Sequence, residues 1–228
     1  LLPVTDANAQ VSLGEGGTAL VKLRAGEELT GHANVFVKNE GQNPTWSHKD
    51  RLAAAGVSKA LELGATGVTV ASTGNHAAAT AAYAARAGLP CYVFTTTTVP
   101  QAMKALIQSL GAVVVAANDF DTRTEAMERC FREFGWWPIG NIAQPPAGSN
   151  SFGIEGYKTI AYELFEQFDE DVPEIVVLPT AYGDMTYGVY KGFRDLEQLG
   201  LVDRVPRIVA VEPFGSLLES LEQGARFP

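Results

Sequence analysis

From Gly67 onward, short β-branched runs alternate with longer stretches of helical spacing, the pattern of parallel strands joined by crossover helices, and it predicts an α/β fold. Val68-Thr69-Val70-Ala71 reads as a strand, Asn75 to Ala87 as an alanine-rich helix, and Cys91-Tyr92-Val93-Phe94 as the next strand. Met103 to Leu110 and Thr122 to Phe134 read as helices on either side of a strand at Ala112 to Ala116, and this unit closes near Trp136-Trp137-Pro138-Ile139. Ala143-Gln144-Pro145-Pro146-Ala147-Gly148-Ser149-Asn150 is rich in turn residues and is the candidate crossing between domains. A second unit follows: helix from Glu155 to Phe168, buried strand from Glu174 to Pro179, helix from Asp184 to Leu199, strand from Arg207 to Glu212, and a helix starting over Ser216 to Gln223. A parallel sheet that stops at a strand, a partial helix and Phe227-Pro228 predicts that C-terminal residues are missing. No internal repeat or low-complexity tract interrupts the pattern.

Composition narrows the function classes. The 228 residues are 46% hydrophobic and 19% charged, ordinary for a globular protein, and the formal net charge of -9 argues against the clustered cations of a nucleic-acid surface. Cys91 and Cys130, far from any CxxC spacing, read as buried thiols of a reducing compartment. No apolar run approaches the ~20 residues that span a bilayer, and the opening lacks a basic stretch before an apolar one, so the expectation is a cytoplasmic protein without a membrane partner. No grouping of His, Cys and carboxylates has metal-ligand spacing, so no metal is expected.

Three stretches carry candidate chemistry. In the first, an apolar strand over Val35-Phe36-Val37-Lys38 runs through the turn Asn43-Pro44-Thr45 into a helix that Thr45 or Ser47 is placed to cap, with Lys49 in its first turn. A helix start disfavours an ammonium, which eases a lysine toward the nucleophilic neutral amine; a solvated surface lysine is the alternative. In the second, Ser72, Thr73, Gly74 and Asn75 form a polar turn between strand and helix, an anion site that an amino-acid carboxylate would fit, or else an ordinary capped turn. In the third, Thr180-Ala181-Tyr182-Gly183-Asp184-Met185-Thr186 again joins a buried strand to a helix; a phosphate monoester could sit there, although Asp184 has the wrong charge for an anion's neighbour.

Together with the opening Ser12-Leu13-Gly14-Glu15-Gly16-Gly17-Thr18-Ala19-Leu20, these stretches resemble the pyridoxal 5′-phosphate (PLP) enzymes of fold type II, the tryptophan synthase β superfamily, and within it the threonine synthase-like group. The resemblance implies two open parallel-sheet α/β domains with the cofactor in the cleft between them. The smaller would span residues 66–146, and the larger 1–65 plus 147–228. Asn43 to Arg51 matches the family's Asn-Pro-Thr-Gly-Ser-Phe-Lys-Asp-Arg segment, which implies Lys49 as Schiff-base anchor and catalytic base. The family's substrate-carboxylate loop maps to Ser72, Thr73, Gly74 and Asn75, with Asn75 also at the cofactor ring, and its phosphate loop maps to Thr180 through Thr186.

The implied activity is a lyase reaction of amino-acid metabolism, elimination or replacement at Cβ or Cγ of a small amino acid, in a homodimer. A serine/threonine dehydratase or cysteine synthase-like activity, and a non-catalytic relative that binds an amino acid or a partner protein, are the alternatives. The departures are specific. Trp46 and His48 stand where the family has glycine and phenylalanine, which leaves His48 to line the substrate side or to pack; Gly153 stands where threonine synthases carry a phosphate-reading arginine. Asp50 and Arg51 are expected to orient the segment through an ion pair, His32 to be exposed, and His76 to line the cleft.

Overall fold

Strand β1 (Leu20–Lys22) turns back through the short helix α1 (Gly26–Thr30) and pairs antiparallel with β2 (Phe36–Lys38), Leu20 opposite Lys38. Neither the pairing nor α1 was expected from the sequence, where only the second strand is apolar enough to stand out. In this computed structural model residues 2–142, 148–213 and 215–224 are described; Ala143 to Ala147 of the expected domain crossing lie outside them, as do Phe227 and Pro228.

Helix α2 (Lys49–Glu62) follows, then the expected alternation: β3 (Val68–Ala71), α3 (Asn75–Ala87), β4 (Cys91–Thr96), α4 (Gln101–Ser109), β5 (Val113–Ala117), α5 (Phe120–Phe134) and β6 (Trp137–Pro138). These strands form one parallel sheet in the order β5-β4-β3-β6. Beyond it, α6 (Ser151–Ile154), a 3-10 turn (Glu155–Tyr157) and α7 (Lys158–Gln167) lead to β7 (Ile175–Pro179), α8 (Asp184–Gln198), β8 (Arg207–Val211) and α9 (Ser216–Gln223). Strands β7 and β8 pair parallel, Ile175 opposite Arg207. No described helix is long and apolar enough to cross a membrane, and no described group of His, Cys, Asp or Glu could hold a metal.

The core lies where α2 meets α3 and where α3 leans on the four-stranded sheet, with Leu52, Val57, Val68, Val70, Tyr83, Val93 and Ile139 fully enclosed. The alanines of α3, from Ala77 to Ala84 with Thr80 and Tyr83 between them, are buried and let the two helices approach closely. The helix expected over Glu155 to Phe168 starts earlier and breaks at the 3-10 turn. Glycines explain the break: a methyl at Gly156 would collide with the backbone carbonyl of Arg51, so this segment lies directly on α2. Helix α8 approaches from the other side through Gly188 and Gly192, where an added Cβ would stand 2.6 Å from the carbonyl oxygens of Ile154 and Lys158 respectively.

The expected ion pair between Asp50 and Arg51 does not form. The Asp50 carboxylate instead accepts from the Thr45 amide and hydroxyl, at 3.2 and 2.9 Å to its Oδ2, and closes the turn ahead of α2. Arg51, with 1% of its side chain exposed, donates to Glu40 at 2.7 and 2.8 Å and to Glu163 at 2.5 and 3.0 Å. Lys38 joins Glu163 at 2.5 Å. This network ties β2 and α2 to α7. Cys91 is buried as expected, its thiol pushed up to about 12 by burial, whereas Cys130 is only half-buried. His32 is exposed.

Candidate functional site

The turn Asn43–Trp46, closed by the Trp46 amide donating to the Asn43 carbonyl at 2.8 Å, delivers the chain to the start of α2. The N-cap of α2 is His48, without a side-chain cap bond, in place of the expected Thr45 or Ser47; Ser47 Oγ, one residue earlier, accepts from the Lys49 amide at 3.0 Å, while Thr45 serves Asp50. Trp46 has φ +61°, a left-handed conformation that favours glycine, and its side chain is 68% exposed. It has little packing to lose. Trp46→Gly is therefore expected to raise stability by about 1 kcal/mol, relief of left-handed strain outweighing glycine's extra chain entropy, as read from the urea midpoint.

Lys49 extends from the first turn of α2 with its Nζ over the Tyr157 ring, 5.7 Å from the centroid. Among the described residues its amine makes no hydrogen bond or ion pair. Burial lowers its pKa from the ordinary lysine value, and the charge of Asp184 opposes part of that shift. His48 packs on the same tyrosine ring at 5.7 Å between centroids, and burial, reinforced by Lys49, brings its imidazole down to about 4.

Two further helix starts face this one. At α3 the cap is Gly74, without a side-chain cap; Ser72 Oγ accepts from the Gly74 amide at 3.2 Å, while Thr73 and Asn75 are exposed. His76 follows in the first turn, its Nε2 buried without a partner among the described residues, and burial with the charges of Lys49 and His48 depresses it to about 3.

At α8 the left-handed Gly183 (φ +87°) precedes Asp184, whose carboxylate accepts from the Ser149 amide at 3.1 Å and hydroxyl at 2.6 Å. Thr180 donates its amide to the Val211 carbonyl at 2.9 Å, so that group is spent on joining β8. Ala181 and Tyr182 are exposed, Met185 is buried, and the Thr186 hydroxyl is buried without a partner among the described residues.

The structure thus brings His48, Lys49, His76 and Asp184 within electrostatic reach of one another at the starts of α2, α3 and α8. Tyr157 completes the group and was not among the residues singled out in the sequence. It is fully buried, its hydroxyl has no partner among the described residues, and burial with the charges of Asp184 and Glu40 carries its pKa well above the ordinary phenol value. A lone tyrosine between a glycine and a lysine reads as core, and only the enclosed, unpartnered hydroxyl marks it out. Ser149 was hidden likewise in a turn-rich stretch, 35 residues from the carboxylate it holds.

The sequence profile of the pyridoxal-phosphate dependent enzymes matches residues 11–227. Threonine synthase of Methanocaldococcus jannaschii is 35% identical over 99% of this chain and 55% of its own length, and threonine synthase of Methanosarcina acetivorans is 35% identical over 99% and 54%. A crystal structure of a pyridoxal 5′-phosphate-dependent aspartate racemase superposes with a TM-score of 0.80 at 25% identity, covering 100% of this chain and 69% of that one. The chain spans about half the length of these curated relatives.

Proposed function

This chain belongs to the pyridoxal-phosphate dependent enzyme family, and from that membership we propose that it catalyses a threonine synthase-like lyase reaction, elimination or replacement at Cβ or Cγ of a small amino acid, with the cofactor held covalently by Lys49. The observation that carries the reading is the Lys49 amine, partly buried, without a hydrogen bond or ion pair among the described residues, and placed where three helix starts converge.

The residues present suit such a cofactor. An amine whose pKa is lowered by burial has a larger neutral fraction with which to attack an aldehyde. The buried polar atoms without partners, Thr186 Oγ1, His76 Nε2 and Tyr157 Oη, are donors or acceptors for a polar ligand. The first turn of α8, from Asp184 to Thr186, offers helix-start N–H groups to a phosphate, and Asp184, held by Ser149, sits beside them as a competing negative charge. The Ser72 to Asn75 turn would meet the substrate carboxylate. Once bound, the cofactor supplies an electron sink for charge developing at the substrate Cα. Lys49 then serves as the base that takes the Cα proton, and the depressed His48 and His76 stay neutral beside it.

Gly153 favours an unphosphorylated leaving group, the dehydratase or cysteine synthase-like variant of this reading. An added Cβ there would stand 3.0 Å from Leu52 Cγ and 3.2 Å from the Leu52 carbonyl oxygen, so a side chain at the position where the resembling threonine synthases carry an arginine would have to push Leu52 aside. The same reading extends to the two-domain division at residues 66–146, with the site in the cleft, to a homodimer and to a cytoplasmic setting. In support of the division, β3 to β6 form one sheet with α3 to α5 interleaved.

The test is direct. Purified protein should absorb between ~400 and 430 nm, where the lysine-bound cofactor has its chromophore. The loaded protein should turn over one of O-phosphohomoserine, O-acetylserine, serine or threonine, with the unphosphorylated substrates favoured. A colourless protein that stays colourless when the cofactor is supplied refutes the assignment.

A further inference from the structure

We propose that Tyr157 is a positioning residue for Lys49: its ring face seats the lysine amine in the cleft and favours the charged form of that amine. The meaning of this inference rests on Lys49 being the reacting amine, but its measurement does not.

The Lys49 Nζ lies over the ring at 5.7 Å, inside the ~6 Å over which a ring quadrupole attracts a cation. The ring is a fixed surface. Tyr157 is 0% exposed, its Cβ would stand 2.6 Å from a methyl placed on Gly188 of α8, and the next residue, Lys158, is pinned by Glu155 at 2.7 Å and Asp195 at 2.8 Å. Lys49, by contrast, has a flexible four-carbon stem and no hydrogen bond or ion pair among the described residues to hold its end. His48 packs on the same ring, so one phenol orders both side chains at the start of α2.

A lysine that accepts a proton ends as an ammonium, which burial penalises. The groups facing it are His48 from the preceding residue, His76 from α3 and Asp184 from α8, while Glu40 acts on His48 and Tyr157. Both imidazoles are neutral near pH 7 and offer the ammonium no opposite charge. That leaves the ring face and the Asp184 carboxylate to favour the cation. The ring acts by its face, since the phenol hydroxyl has no protein partner among the described residues.

The test separates field from shape. Tyr157 is replaced by phenylalanine and by a graded series of fluorinated phenylalanines, which keep the ring's outline while draining its negative face. The full chain, freed of any cofactor, is labelled with trace acetic anhydride across a pH series, and the Lys49 peptide is followed by mass spectrometry. Tyr157→Phe should label as the parent does, and the midpoint should fall progressively with fluorination, by about half to one pH unit in total. A flat series, with every variant folded by circular dichroism, overturns the proposal and leaves Tyr157 as packing. Because labelling is read without cofactor, a protein that never turns yellow would sink the lyase reading and leave this result standing.

Discussion

Lys49→Ala is expected to remove the visible absorbance of the cofactor-loaded protein and to lower turnover at least about 10³-fold, since both the covalent anchor and the base at Cα are lost. The fold should survive. In the parent protein the Lys49 amine is partly buried beside Tyr157 without a hydrogen bond or ion pair among the described residues, so its removal relieves a partly desolvated charge and costs little packing. The thermal midpoint of the variant should therefore equal or exceed that of the parent. An unchanged spectrum in Lys49→Ala would transfer the anchor to another lysine, and a collapse of stability would make Lys49 a structural residue.

The second large effect is on stability. Arg51→Leu should destabilise the protein by roughly 3–5 kcal/mol, because in a largely enclosed site Glu40 loses its cation and Glu163 keeps only Lys38. Burial acts to raise the Glu163 carboxyl, yet the hydrogen bonds and charges of Arg51 and Lys38 outweigh it and hold it at about 2, below the usual 4.5. Glu40 is lowered in the same way, burial opposing and Arg51 prevailing. A carboxylate whose folded pKa is depressed contributes stability that is complete above its unfolded value and is lost as pH falls toward the folded one. Urea unfolding of the parent should therefore weaken as pH drops from about 4.5 to about 2, and Arg51→Leu should lose much of that dependence. Equal slopes against pH in the two proteins would show that the network is not what holds these carboxylates down.

What the sequence disclosed and what it withheld follow from the range of the interactions. Helix α3 matched the alanine-rich run from Asn75 to Ala87, and β3 matched its apolar run because burial on both faces writes itself into consecutive residues. Strands β7 and β8 fell within two residues of theirs, but β7, expected to be buried, has one face open, with Val177 61% exposed, and β8 is mostly exposed. The antiparallel β1 and β2 pair was missed because its strands are three residues each and half-exposed. The break at Glu155–Tyr157 was invisible for a different reason: it answers to a close approach by α2 and α8 that no local pattern records.

At the site, Lys49 and the three helix starts were legible as motifs joined to turns. Their convergence was not, nor was the pairing of Arg51 with Glu163, 112 residues away, in place of its neighbour Asp50. Tyr157 and Ser149 were missed because each works through one contact supplied by a distant segment.

Gly156, Gly188 and Gly192 place main chain directly against main chain or Cβ, so α8 takes its position from the backbone of its neighbours as well as from its buried side chains Val189 and Phe193. Such a scaffold is stiff at these three points. Exposed residues of the turn ahead of α8, Ala181 and Tyr182, are thereby free to be exchanged during divergence or in a mutagenic library without displacing the frame that carries them, whereas those glycines should tolerate almost nothing.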